Sequence, residues 1–200
     1  MNTNKPDRKL KPTIVLQTSL CPIYQFDLPE IDPDVVATNL KSLFEGRPHW
    51  NESNSRHKGF HVTQTEIFTK KTCHLFNDLL EAIEQKVLEI VEDSSNLYKE
   101  GLYVDIRPVV ENYWGVMYQK GDKADWHNHE DMFCFQAVYY PMVEDDTPIL
   151  FQSQTSGSIE IKPKKGSLVV FNGRTRHMVP EITSDKIRMS FASNLIYKRC

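Results

Sequence analysis

The alternation of apolar and polar positions divides the chain near residue 102. Before that point two short extended segments lead into helices. Residues 13–20 are rich in β-branched and apolar side chains and predict a strand. Residues 23–28 alternate with a period of two and predict a second. Asp32-Pro33-Asp34 then opens a helix. Asp32 can accept from the unpaired N–H groups of the first turn, and Pro33 suits a position whose donor is unused anyway. Val36, Leu40, Leu43 and Phe44 fall on one face of it, and Gly46 is a plausible stop. Residues 47–59 are mixed and polar and read as a loop. The longest helix is predicted over 69–93, where Phe76, Leu80, Ile83, Val87 and Ile90 recur at three and four. Leu75, Leu79 and Val91 widen that stripe, and the helix is expected to lay it on a sheet.

Beyond residue 102 the period shortens to two. Residues 104–110, 113–119, 133–140, 149–152, 158–161, 167–171 and 187–194 all read as short strands. Turn chemistry separates several of them: Lys120-Gly121-Asp122, Asp145-Asp146-Thr147-Pro148, Ser156-Gly157 and Lys164-Lys165-Gly166. Strands at this spacing predict a β-sandwich or a barrel-like double sheet. The fold class is therefore mainly β with N-terminal helices, an α+β chain. We divide it into a polar tail (1–12), a strand and helix support region (13–101) and a β core (102–200), together one compact domain.

Composition narrows the function. The 200 residues are 40% hydrophobic and 26% charged, an ordinary globular balance. No run approaches the roughly 20 apolar residues of a membrane span, and 1–12 lacks the apolar stretch of a secretory signal, so a cytoplasmic protein is expected. A net charge of −3 disfavours a dedicated nucleic-acid binder. The four cysteines, at 21, 73, 134 and 200, form no C-x-x-C pair and are expected as reduced thiols. With eight glycines in the chain there is no Gly-rich phosphate loop.

The chemistry concentrates in Trp126-His127-Asn128-His129-Glu130-Asp131. If this segment is extended, residues 127, 129 and 131 share a face, which offers two imidazoles and a carboxylate. His177 follows the strong strand 167–171 and is a third candidate ligand. An H-x-H pair in a polar loop also reads as two solvated histidines, and it is the addition of His177 that favours a metal. Arg188 stands inside the otherwise apolar run 187–192. It either snorkels, pairs with a carboxylate or binds an anionic ligand, since burial without a partner is costly. Arg174 and Arg176 read as a solvated loop face.

The ordered set of segments 114–122, 126–129, 138–140, 162–171, 177–179 and 188–190 resembles the double-stranded β-helix (jelly-roll) core of the iron(II)- and 2-oxoglutarate-dependent oxygenases. Within them it is most similar to the small prolyl-hydroxylase-like oxygenases of bacteria and phages. The resemblance covers 113–194 and is weaker over the first hundred residues. It implies a jelly-roll core buttressed by the long helix, and an enzyme that couples decarboxylation of 2-oxoglutarate to succinate with oxidation, as a hydroxylase, of a further substrate. That substrate, a peptide side chain or a small molecule, is unidentified, and O2 is the other reactant. The resemblance implies Fe(II) held by His127, His129 and His177, with no catalytic residue beyond the metal site. It also implies a distal co-substrate carboxylate held by Arg188, Ser190 and Tyr118. The family's second ligand is usually Asp or Glu, and here it is His129. A register shifted by two, His129, Asp131 and His177, would restore the carboxylate and stays open. Trp126 and the distance to 138–140 favour the first register. A cupin-like three-histidine enzyme that does not use 2-oxoglutarate would have no need of Arg188-x-Ser190. A jelly-roll binding module without catalysis is opposed by the retained ligand set and kept open by the missing carboxylate at 129.

Overall fold

The computed structural model describes residues 13–16, 22–44, 61–62, 68–94, 106–129, 134–153 and 157–199. The tail 1–12, the loop 47–59, Gly46 and Asp131 lie outside them. In chain order the elements are β1 (Thr13–Leu16), β2 (Ile23–Asp27), α1 (Pro33–Phe44), β3 (His61–Val62) and α2 (Asn77–Ser94). There follow β4 (Ile106–Tyr118), β5 (Ala124–His127), β6 (Phe135–Val143), β7 (Ile149–Gln152) and β8 (Ser158–Ile161). The chain closes with β9 (Ser167–Asn172), β10 (His177–Val179) and β11 (Arg188–Arg199).

The strands form two antiparallel sheets. The larger runs β1-β2-β9-β6-β11-β4-β3 and the smaller β5-β10-β7-β8. The N-terminal strands thus belong to the same sheet as the later ones, with Tyr24 of β2 opposite Val170 of β9. Alternation then assigns each strand two faces. On β11, Met189, Phe191 and Leu195 join the helices in one core, while Ala192 packs with Val138, Tyr140, Phe151 and Phe171 in another. The second core includes residues of β7 and β8 and is the space between the sheets.

Helix α1 starts where Pro33 predicts. The Asp34 N–H donates to Asp32 Oδ1 at 2.9 Å, which serves one of the first-turn donors. Helix α2 starts later than its apolar period suggests. The Tyr113 hydroxyl donates to the Cys73 carbonyl at 2.6 Å, the acceptor that a helix through 73 would offer to residue 77. The Thr69 N–H meanwhile donates to Thr72 Oγ1 at 2.9 Å. Residues 68–76 are therefore turns tied to β4, and Leu75 is 51% exposed rather than part of the stripe. The rest of the stripe, from Phe76 through Leu80, Ile83 and Val87 to Ile90, is buried as expected.

Within the described residues, the two strands read separately over 104–110 and 113–119 are joined as one long β4, Ile106–Tyr118. Leu195 lies opposite Val110 and Asn194 opposite Asn112, so Glu111 is the extra residue of a bulge. Gly121 and Gly166 carry φ of 88° and 81°, left-handed conformations that suit glycine and close the turns into β5 and β9. No helix among the described residues is long and apolar enough to cross a membrane.

Candidate metal and co-substrate site

Strands β5 and β10 pair so that His127 stands directly opposite His177, and Val179 opposite Ala124. Three steps on β5 match two on β10, a bulge that re-aims the imidazoles at the strand end. His129 lies just past β5, where its N–H donates to the Gly173 carbonyl at 3.0 Å. That bond brings the segment after β5 against the turn between β9 and β10. As a result one ligand-type atom from each of His127, His129 and His177 lies within 4.8 Å of the others. The ring centroids are 4.3 Å apart for His127 and His177, and 5.3 Å for each pair that includes His129.

The donor set fits a divalent metal. His127 Nδ1 lies 2.7 Å from the Asp125 carbonyl, and His177 Nδ1 lies 3.0 Å from the Thr175 carbonyl. A carbonyl only accepts, so each Nδ1 carries the proton and Nε2 is the lone-pair nitrogen. Both contacts span two residues, so each ring is held by the carbonyl two positions before it. Such contacts to the second nitrogen are the usual way a metal-binding imidazole is held. Aromatic side chains line the core side of the cluster, and His127 and His129 stay partly exposed. Trp114 stacks on His129 at 5.6 Å and 23°, and Phe171 lies 4.8 Å from His177 with Phe151 behind it at 6.1 Å.

Arg188 opens β11 and shares the strand face of Ala192, which packs in the core between the sheets. It stands opposite Tyr118 across β11 and β4, with its Cζ 5.0 Å from the tyrosine ring centroid. Tyr118 packs with Ala124 of β5 and Val179 of β10, the strands that carry the histidines. Arg188 is 1% exposed, and Ser190, two residues on along the same face, is also buried. The Arg188 Nη1 donates to the Thr147 carbonyl at 2.6 Å and lies 3.9 Å from Asp145 Oδ1. Burial pushes the Tyr118 hydroxyl well above the usual tyrosine range, against the pull of Arg188. Tyr140 responds to the same two influences and is pushed up to about 12. Both phenols therefore keep their protons and can donate at any neutral pH.

The sequence-predicted set thus falls into two groups, His127/His129/His177 and Tyr118/Arg188/Ser190, with Tyr118 packed on the two strands that carry His127 and His177. Asp131, the carboxylate of the shifted register, is outside the described residues. Arg174 and Arg176 are exposed. Sequence reasoning gave no role to Trp114 or Phe171, which wall the histidines, nor to Asp145 and Thr147, which face Arg188. The signal for Asp145 was the buried arginine itself, because such a charge demands a counter-charge.

Residues 112–194 match the protein family described as "Putative 2OG-Fe(II) oxygenase". That family consists of enzymes that use Fe(II) and 2-oxoglutarate. No curated protein matches the chain in sequence. Among solved structures, a prolyl-4-hydroxylase from Pseudomonas putida is similar at a TM-score of 0.61 and 16% identity, covering 87% of this chain and 91% of that one. A prolyl hydroxylase from Trichoplax adhaerens, in complex with a hypoxia inducible factor peptide fragment, reaches 0.63 at 13% identity over 87% and 83%. A viral collagen prolyl hydroxylase from Paramecium bursaria Chlorella virus-1, in its 2-oxoglutarate complex, reaches 0.54 at 15% over 86% and 94%. At these identities the likeness to the solved structures is one of fold.

Proposed function

We propose that this chain, whose residues 112–194 match the family described as "Putative 2OG-Fe(II) oxygenase", is an Fe(II)- and 2-oxoglutarate-dependent dioxygenase that hydroxylates a substrate bound beside a three-histidine iron. The observation that carries this reading is the pairing of three converging imidazoles with a buried arginine in one interior. A metal site alone has no use for Arg188. A short diacid that reaches from the metal to a guanidinium requires both.

In this reading His127, His129 and His177 hold Fe(II), and Arg188 receives the distal carboxylate of 2-oxoglutarate. Ser190 and the protonated Tyr118 are at hand as further donors. Bound Fe(II) and 2-oxoglutarate supply the oxidising power, since decarboxylation to succinate drives O2 activation. The chain supplies geometry. Nδ1 contacts at His127 and His177 hold two ligand nitrogens in place before the metal arrives. Phe151 and Phe171 pack an apolar wall against His177, and Trp114 stacks on His129, so the cluster has aromatic neighbours on the core side. Three neutral imidazoles leave the metal its full double charge, so the anionic co-substrate is its main counter-charge. Peptide binding by the Trichoplax neighbour, and hydroxylation of proline by all three neighbours, make a peptide side chain one substrate class to test.

The test is anaerobic. Fe(II) and 2-oxoglutarate added together should produce a weak visible charge-transfer band, and neither alone should. His177→Ala should lose the band and all iron-dependent succinate formation while keeping the circular dichroism of the β fold. Absence of a band in folded wild-type protein at millimolar co-substrate would refute the reading.

A further inference from the structure

We infer that Asp145 is a built-in counter-charge which competes with the co-substrate's distal carboxylate for Arg188, and so holds the affinity for 2-oxoglutarate down. The inference rests on the assignment of Arg188 proposed above. The Asp145 side chain is 1% exposed, as is that of Arg188. It sits in the connection between β6 and β7, where its Oδ1 accepts from the Thr147 N–H at 3.0 Å. That same residue's carbonyl takes the Arg188 Nη1 at 2.6 Å. The connection thus grips the arginine through a backbone carbonyl and brings a carboxylate up beside it.

The grip is incomplete. At 3.9 Å the Arg188 and Asp145 charges attract but form no hydrogen bond. Arg188 Nε and Asp145 Oδ2 are both buried without a hydrogen-bond partner. A buried ion pair normally satisfies its donors and acceptors, because the desolvation cost is otherwise unrecovered. Here the unused donor lies on the guanidinium edge away from Nη1, the edge that can receive a carboxylate. The Tyr118 ring covers one face of the guanidinium and the Thr147 carbonyl occupies Nη1. An incoming carboxylate then shares the single positive charge with Asp145 and is repelled by it. Succinate retains the same distal carboxylate, so the same repulsion assists its departure.

Asp145→Asn removes the charge and keeps an acceptor for Thr147. Titrated by the charge-transfer band under anaerobic Fe(II), 2-oxoglutarate should bind on the order of tenfold more tightly than in wild type, the effect of removing one partly screened like charge nearby. Inhibition by succinate should tighten in parallel. The variant without co-substrate should lose thermal stability, and 2-oxoglutarate should restore it by taking over as the counter-charge. Asp145→Ser, which keeps a hydroxyl acceptor, should behave alike. Unchanged or weaker 2-oxoglutarate binding in either folded variant overturns the inference. So does failure of both variants to fold even in millimolar 2-oxoglutarate. Arg188→Ala separates the two levels of the argument. If it leaves 2-oxoglutarate affinity intact, the arginine's assignment falls. If it abolishes binding while Asp145→Asn does not tighten it, only the role of Asp145 falls.

Discussion

Arg188 carries a full positive charge into a place where the chain around it reads Ile187, Met189, Ser190 and Phe191, with Met189, Ser190 and Phe191 all buried. Its reading as an anion site was open to sequence reasoning because a charged residue interrupts an apolar run. Its partner was not, since Asp145-Asp146-Thr147-Pro148 has the composition of any turn and nothing in it marks one aspartate as buried. The fork geometry sets the expected outcome of substitution. Loss of one partner of a buried charge pair typically costs on the order of 3–5 kcal/mol, which is several hundredfold or more in affinity. Arg188→Ala should therefore raise the 2-oxoglutarate concentration needed for the charge-transfer band several hundredfold. Fe(II) affinity, measured without co-substrate, should hardly change. Arg188→Lys should recover little, because an ammonium cannot make the two-pronged contact that a guanidinium makes. Full recovery by lysine would mean that charge alone, rather than shape, binds the co-substrate.

Individual elements were legible to different degrees, for physical reasons. Strands β7 and β8 lie where the alternation puts them, because each has one face in the core and strong turns on either side. The histidine strands β5 and β10 are four and three residues long, too short for a period to declare itself. The approach of the three histidines depends on a bulge and on the His129–Gly173 backbone bond, both tertiary facts. Spacing could suggest that 127 and 129 share a face, but could not supply the bond that turns His129 inward. Helix α2 shows the opposite failure, an apolar period that continues past the true helix start because Phe76 is buried by a turn rather than by a helix. What α2 does contribute is burial on the outer face of the larger sheet, remote from the histidines. Ile83 is wholly buried there. Ile83→Ala should lower the unfolding free energy by about 2–5 kcal/mol through lost burial and the cavity left behind. The KM for 2-oxoglutarate, measured on the folded fraction, should stay at the wild-type value. A parallel rise in KM would show that α2 sets the geometry of the site and does more than support the sheet.

At the scale of the whole molecule, the two sheets enclose an interior that holds phenols as well as a guanidinium. Tyr118 and Tyr140 lie between the sheets, and Tyr113 and Tyr139 lie on the helix-covered face. Burial raises all four. Tyr139 and Tyr140 are each pushed up to about 12, while Tyr113 and Tyr118 are raised further still. A phenol in the unfolded chain loses its proton near pH 10. Between that pH and the folded-state values the native protein binds more protons than the unfolded chain, so stability must fall as pH rises. The contribution is intact below about pH 10 and is lost progressively up to about pH 12. Urea unfolding midpoints should therefore decline steeply above about pH 10, and the ultraviolet absorption of phenolate should appear together with loss of the fold. Tyr140→Phe removes one titrating group and should flatten the decline. Arg188 pulls Tyr118 and Tyr140 downward, so Arg188→Ala should steepen it. A gradual appearance of phenolate absorption in fully folded protein near pH 10 would show that these tyrosines are hydrated, and that the interior is open to water in solution.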